Sequence, residues 1–260
     1  MQAVNAQTPT AAVKRALLRL PPRARDPLIR QWRWLRGLTR LGADEEELDR
    51  RRFFHFAFWA LGFNRITGDY VEFGSWSGRT FRMAYDESRH QQYRCRLWAF
   101  DSFSGLPTPR DATDQHPRWI AGDMATSLRE FEALCQRHGI PRTAYRTIPG
   151  WYEDTLRNGT TGERPQDICL AYVDCDLYSS TVTVLEFLRP RLKHGMILVL
   201  DDYFAWSPDG VSGERRALSD VLAGHPDYRL VPFMRFGWAS LAFTVEDRRL
   251  LSSPGPELDL

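Results

Sequence analysis

Carboxylates dominate the residues with chemistry to offer. Val173-Asp174-Cys175-Asp176 and Leu200-Asp201-Asp202-Tyr203 each close a short apolar run. If those runs are neighbouring strands, about 4.8 Å apart, three or four carboxylates meet at one sheet edge. Like charges so close are unfavourable unless something neutralises them. An oxygen-only donor set suits a hard divalent cation, Mg²⁺, Mn²⁺ or Ca²⁺, rather than zinc. Asp174 and Asp176 share parity, so both can face one side while Cys175 points away. One could then bind metal while the other reaches a substrate. The plainer alternative is that some of these aspartates cap the helices that follow, although Ser179, Ser180 and Thr181 are credible caps themselves.

A second group lies nearer the start. Glu72-Phe73-Gly74 closes an apolar run and is followed by Ser75, Gly78 and Thr80. Glycines let a backbone turn tightly and approach a ligand, and the helix beyond offers free N–H groups. A dinucleotide site would want G-x-G-x-x-G. Here Trp76 stands at the middle glycine, and an acid directly before the loop sits badly with a diphosphate. It suits a cationic group, such as an amino group or a sulfonium. Phe100-Asp101 ends the next run; an acid there can accept both hydroxyls of a ribose, or simply cap a turn. No His/Cys pattern with zinc spacing occurs, the six histidines are scattered, and there is no G-x-S-x-G nucleophile elbow.

These positions need a scaffold, and the sequence supplies one. β-rich runs at Asp69–Phe73, 96–100, 144–148, Ile168–Val173, 196–200, 228–233 and 238–245 alternate with helical stretches near 78–89, 126–138, 179–194 and 213–223. The pattern predicts an α/β fold of Rossmann type: a mostly parallel seven-stranded sheet with helices on both faces. Only Met234 to Gly237 join the last two runs, which permits a hairpin but no parallel crossover, so the final strand should be antiparallel. In open sheets of this kind ligands sit beyond the carboxyl ends of the strands, near the switch point. That is where every acid singled out above falls. The segment Ser102 to Ala125 lacks periodicity and carries three prolines, as a lid or binding loop would. Trp119, Trp151, Tyr203, Phe204 and Trp206 are candidates to line a pocket for a sugar or aromatic ring.

The chain divides on paper into a basic N-terminal helical extension, 1–62, a catalytic domain, 63–250, and a frayed tail, 251–260. Residues 1–40 carry nine Lys or Arg against one acid. Leu28, Trp32 and Leu35 lie at helical spacing, and Pro21-Pro22 separates two helices there. A helix packing its apolar stripe on the domain is the first reading of this segment, and contact with an anionic partner, a membrane surface or a phosphorylated substrate, the second. Net charge is only +2, and the basic residues are not grouped around the strand ends, so no nucleic-acid partner is expected. The four cysteines form no CxxC pair and no apolar run is long enough to span a membrane; a soluble cytoplasmic protein is expected.

Several strings together resemble the macrocin O-methyltransferase family. They are Val71-Glu72-Phe73-Gly74, Asp101-Ser102-Phe103-Ser104-Gly105-Leu106-Pro107, Gly122-Asp123-Met124, Gly150-Trp151-Tyr152-Glu153, Asp174-Cys175-Asp176-Leu177-Tyr178-Ser179-Ser180-Thr181 and Asp201-Asp202-Tyr203. The resemblance covers roughly 64–245 and implies a class I methyltransferase fold with S-adenosylmethionine and Mg²⁺ as cofactors. It implies that Glu72, Gly74, Ser75, Gly78 and Thr80 hold the methionine end, that Asp101 binds the ribose, and that Ser102 and Asp123 lie around the adenosine. It further implies Asp174, Asp201 and Asp202 as metal ligands and Asp176 as the general base toward a hydroxyl acceptor, a glycoside in a homo-oligomeric enzyme. The chain departs from the family in having Ser77 before Gly78, where relatives often show a basic residue and paired glycines. A phenol or catechol O-methyltransferase, a nucleotide-binding oxidoreductase and a non-catalytic binding module are the competing readings.

Overall fold

A computed structural model describes residues 45–116, 119–157 and 163–252. The basic segment 1–40, with its expected helices, its Pro21-Pro22 break and its membrane reading, lies outside the described residues, as does most of the expected tail. The chain forms two compact units, Met1–Leu48 and Asp49–Leu260. The second carries the sheet and the candidate site.

Seven strands form one sheet in the order β3-β2-β1-β4-β5-β7-β6: β1 Asp69–Phe73, β2 Leu97–Asp101, β3 Tyr145–Pro149, β4 Ile168–Val173, β5 Ile197–Leu200, β6 Tyr228–Phe236 and β7 Ser240–Asp247. Strands β1 to β5 run parallel, and β7 runs antiparallel to both β5 and β6. β4 is buried at every position, which is why its sequence is an unbroken apolar run: a central parallel strand is covered on both faces. β6 runs three residues beyond the expected end. Pro232 cannot donate to the ladder, and a register shift between Pro232 and Met234 lets the pairing resume to Phe236.

The helices are α1 at 45–63, α2 Arg79–His90, α3 Leu128–Arg137, α4 Tyr178–Leu188, α5 Gly213–Leu222 and α6 Arg248–Ser252. The stretch expected to stay helical to 194 stops at Leu188 and tightens into a 3₁₀ turn, Arg189–Arg191: Arg189 keeps helical angles, φ −49° and ψ −49°, but Pro190 has no N–H with which to continue the ladder. One face of the sheet packs against α1, α2 and α3 through Phe54, Phe58, Phe81 and Phe131. The other packs against α4 and α5 through Val184, Leu185, Leu188, Ala217 and Leu218. From Asp49 onward α1 belongs to this core: Phe53, Phe54 and Phe58 are fully buried, and each such ring contributes roughly 2–3 kcal/mol. The compact unit thus begins earlier in the chain than the expected boundary at 62/63. No described helix is long and apolar enough to cross a membrane.

The switch point lies between β1 and β4. There Gly74 leaves β1 with φ +87°, and a Cβ at this position would stand 1.9 Å from the Asp174 carbonyl oxygen. Only glycine lets these two strand ends run so close.

Candidate functional site

At the carboxyl ends of β4 and β5 the ladder continues one step past the strands: Asp174 N–H donates to Phe73 O at 2.8 Å and Asp201 N–H to Val173 O at 2.9 Å. The two acid pairs are thereby held at the sheet edge. Asp176 sits at φ +60°, a left-handed conformation that a short polar residue tolerates. Asp174, Asp176 and Asp202 each offer one carboxylate oxygen, all within 4.8 Å of one another. Asp176 and Asp202 are buried. Loss of water raises the pKa of Asp174 and Asp202 well above the carboxylate range, and the neighbouring charges raise it further. Asp176 is pushed up to about 7, first by burial and then by the charge of Asp174, while its hydrogen bond with Asp202 acts the other way. Carboxylates this crowded and buried favour retained protons or a bound cation over three free charges.

Asp201, expected beside Asp174 and Asp202 around the cation, is engaged otherwise. Its Oδ1 accepts from Arg50 Nη1, from the Tyr172 hydroxyl and, at 2.7 Å, from Ser240 Oγ; its Oδ2 accepts from Arg50 Nη2 at 3.1 Å. The pair is nearly shut off from solvent, with side-chain exposures of 12% and 10%. Asp201 therefore ties α1 to β4 and β7 at the rim of the carboxylate group. Beneath the group lies Glu214, fully buried. Its carboxylate accepts from Cys175 N–H at 3.0 Å and from Asp202 N–H at 2.9 Å. One side chain on α5 thus fixes the spacing of the two aspartate loops.

On the β1–β2 side the acids are satisfied by the protein itself. Glu72 is fully buried; it accepts from the Tyr70 hydroxyl and, at 3.1 Å, from Thr80 Oγ1. Burial pushes its carboxyl up to about 8 against those hydrogen bonds. The buried Ser75 hydroxyl lies close enough to favour the ionised Glu72, yet meets no hydrogen-bonding geometry with another protein atom. Asp101 accepts from Ser75 N–H and Phe103 N–H, both at 2.6 Å; burial raises its pKa and these two bonds oppose the rise. Ser77 and Gly78 both have φ +60°, so the loop turns into α2 through two successive left-handed residues.

Ser102 and Asp123, expected near an adenosine, are placed differently from one another. Ser102 Oγ donates to Gly105 O at 2.9 Å and accepts from Ser104 N–H at 3.1 Å, closing a local turn. Asp123 is exposed, and its backbone carbonyl accepts from Leu106 N–H at 2.9 Å, while Gly122 N–H donates to Leu106 O at 2.9 Å. These two bonds close the base of the expected lid. Farther along, buried Asp114 accepts from Ser179 N–H and Ser179 Oγ, each at 2.8 Å, and from Arg110 N–H at 2.9 Å. The lid thus supplies from a distance the cap that α4 lacks from its own N-cap, Leu177. Of the five aromatics singled out, Trp206 and Trp151 are exposed, at 55% and 39%. Tyr203 and Phe204 meet edge to face at 4.9 Å, and Arg215 lies over the Tyr203 ring at 5.2 Å.

Sequence reasoning missed Arg50, Glu214 and Asp114. Arg50 opens the triplet Arg50-Arg51-Arg52, which reads as a solvated face. Glu214, directly after Ser212-Gly213, reads as an ordinary acidic first turn; the close contact of Gly213 with Tyr178 N, 2.6 Å from an added Cβ, is what brings it under the loops. Asp114 stands in an aperiodic segment and carries no local signal.

Comparison with known proteins bears on this geometry. The model of the family described as macrocin O-methyltransferase (TylF) matches residues 49–217. The 8-demethyl-8-(2,3-dimethoxy-alpha-L-rhamnosyl)-tetracenomycin-C 4'-O-methyltransferase of Streptomyces olivaceus is 35% identical over 144 residues, covering 53% of this chain and 54% of the relative. The mycinamicin III 3''-O-methyltransferase of Micromonospora griseorubida is 30% identical over 148 residues, covering 53% of this chain and 56% of the relative. The chain thus spans little more than half the length of these relatives. Two solved structures share the fold: the O-methyltransferase NovP, with TM-score 0.59 and 23% identity over 75% of this chain and 79% of that one, and the calicheamicin methyltransferase CalS11, with TM-score 0.59 and 22% identity over 94% of each.

Proposed function

The chain belongs to the macrocin O-methyltransferase family, and from that premise we propose that it transfers a methyl group from S-adenosylmethionine to a hydroxyl of a sugar, with the help of a divalent cation such as Mg²⁺. The observation that carries the proposal is the group Asp174, Asp176 and Asp202, three carboxylates within 4.8 Å at the switch point of the sheet. The relatives' names support a sugar acceptor, since one acts at a rhamnosyl 4' position.

The residues present fit both cofactors. Hard oxygen donors gathered in a buried, proton-retaining group suit Mg²⁺, with Asp174 and Asp202 as the holding pair. A bound cation there would supply Lewis-acid polarisation of the acceptor hydroxyl. Asp176, held near 7 by its surroundings, is matched to take the hydroxyl proton at neutral pH. Asp201 acts through its pairing with Arg50, keeping α1 seated beside the group. For S-adenosylmethionine, Gly74 gives a close approach, the Ser75 hydroxyl is a buried group in want of a partner, and Asp101 retains lone pairs for ribose hydroxyls. Trp206 and Tyr203, next to Asp202, offer faces for a sugar ring. Four unpaired cysteines support a reducing, cytoplasmic setting.

The test is transfer of a labelled methyl group from S-adenosylmethionine to a panel of deoxysugar glycosides and catechols. Methylation of a glycoside, abolished by EDTA and restored by Mg²⁺, is the expected result. Methylation confined to catechols would overturn the sugar assignment, and full activity in EDTA would overturn the metal.

A further inference from the structure

A second cluster lies away from the sheet edge, between α1 and the end of α2. It consists of His55, Glu87 and His90, and one donor atom from each lies within 4.8 Å of the others. Glu87 and His90 are three residues apart on α2 and so share a face; His55 comes from α1. Glu87 Oε2 is buried and accepts no hydrogen bond from the protein. It faces two imidazoles instead, with His55 Nδ1 at 3.4 Å and His90 Nδ1 at 3.8 Å.

A desolvated carboxylate oxygen without a donor calls for a cation. We propose that His55, Glu87 and His90 form a binding site for a zinc-class transition metal, separate from the Asp174 group. The donor set differs in kind from that group: two imidazole nitrogens and one carboxylate oxygen suit borderline metals such as Zn²⁺ or Co²⁺, where three carboxylates suit Mg²⁺. The spacing agrees as well. Tetrahedral ligands about 2.0–2.1 Å from zinc stand roughly 3.3–3.4 Å apart, the separation already found between His55 and Glu87. His90, 3.8 Å from the same oxygen and 71% exposed at a helix end, has room to turn in toward the other two donors. Gln91 Nε2 lies 2.9 Å from His55 Nδ1, and metal binding at that nitrogen replaces this hydrogen bond. Three protein ligands leave a fourth position for water. The metal would join α1 to α2 one turn beyond Arg50, whose guanidinium holds Asp201.

The experiment titrates EDTA-treated protein with Zn²⁺ against a chromophoric chelator, and with Co²⁺ by visible absorption, in saturating Mg²⁺ so that the carboxylate group is filled. Wild type, His55→Ala, His90→Ala and Glu87→Gln are compared, each checked for folding by circular dichroism; exposed His90 makes the gentlest change. The expected result is one Zn²⁺ per chain, a tetrahedral Co²⁺ spectrum, and affinity lowered at least about tenfold in each variant. Equal binding by wild type and His90→Ala would overturn the proposal. So would the absence of Zn²⁺ binding in wild type together with NMR titration showing protonated His55 and His90, since the cluster would then be an imidazolium–carboxylate pair.

Discussion

The two halves of the sheet's carboxyl edge use acids in opposite ways. At β1 and β2, Glu72 and Asp101 are met by the protein's own donors: Tyr70 and Thr80 on the first, the Ser75 and Phe103 amides on the second. These acids shape the backbone around a ligand site. At β4 and β5, Asp174, Asp176 and Asp202 crowd one another, while the nearest guanidinium, Arg50, is directed to Asp201. Glu214 satisfies the amides of both loops but adds negative charge beneath them. A satisfied acid organises; a crowded one waits for a cation or a proton. Under the proposed function, cofactor binding falls on the first side and proton and metal chemistry on the second.

The largest effect should come from the chemical side. Asp176→Asn removes the group that would accept the hydroxyl proton while keeping its shape. Transfer should slow by about 10²–10⁴-fold, the usual contribution of a general base. Affinity for S-adenosylhomocysteine, which the proposed function places at β1 and β2, should stay unchanged in tryptophan-fluorescence titration. A variant that lost cofactor binding in step with rate would erase the division between the halves.

A smaller effect sharpens the comparison by pH. A carboxyl whose pKa is raised in the folded protein contributes stability below its ordinary pKa, and that contribution is lost as pH rises through the raised value. For Asp176 the window runs from the ordinary carboxylate range, about 4, to about 7. A cation relieves the loss because it takes the place of the protons. The increase in Tm on adding Mg²⁺ should therefore be small at pH 5.5 and grow toward pH 8, with affinity rising up to about tenfold per pH unit for each proton displaced. Calorimetry at several pH values measures both. A Mg²⁺ effect of equal size from pH 5.5 to 8 would mean that the group does not retain its protons.

Most of the fold was legible because its signals are local. The buried run Ile168–Val173 and the short link between the last two strands fix β4 and the closing hairpin without reference to anything distant. The aspartates were legible because they close those runs, and parallel strands bring such ends to one edge. What escaped the sequence depends on contacts far apart in the chain: Arg50 reaches Asp201 across 151 residues and Glu214 reaches Cys175 across 39. Composition does not separate Asp201 from Asp202. Asp201 is as acidic and as well placed as Asp202, and only the convergence of Arg50, Tyr172 and Ser240 sets it apart. Ser102 shows the same limit, since a turn closed onto Gly105 looks in sequence like any short polar loop.

The lid gives the smallest expected effect and the finest probe of the acceptor half. Asp114 is the one buried acid in the segment 106–122 among the described residues, and it holds the first turn of α4 through Ser179. Asp114→Ala removes a helix cap, which costs about 1–2 kcal/mol, so urea unfolding should shift by that amount. Local exchange should change more than global stability, because the base of the lid remains closed by the Leu106–Asp123 and Gly122–Leu106 bonds. Hydrogen exchange should speed up at Ser179 and within 106–116 while β1 and β2 stay protected. The half that binds cofactor would then keep its affinity as the acceptor side loosens, seen as a rise in acceptor KM larger than the fall in kcat. If exchange in 106–116 stayed at the wild-type rate, Asp114 would not be what holds this segment to the first turn of α4.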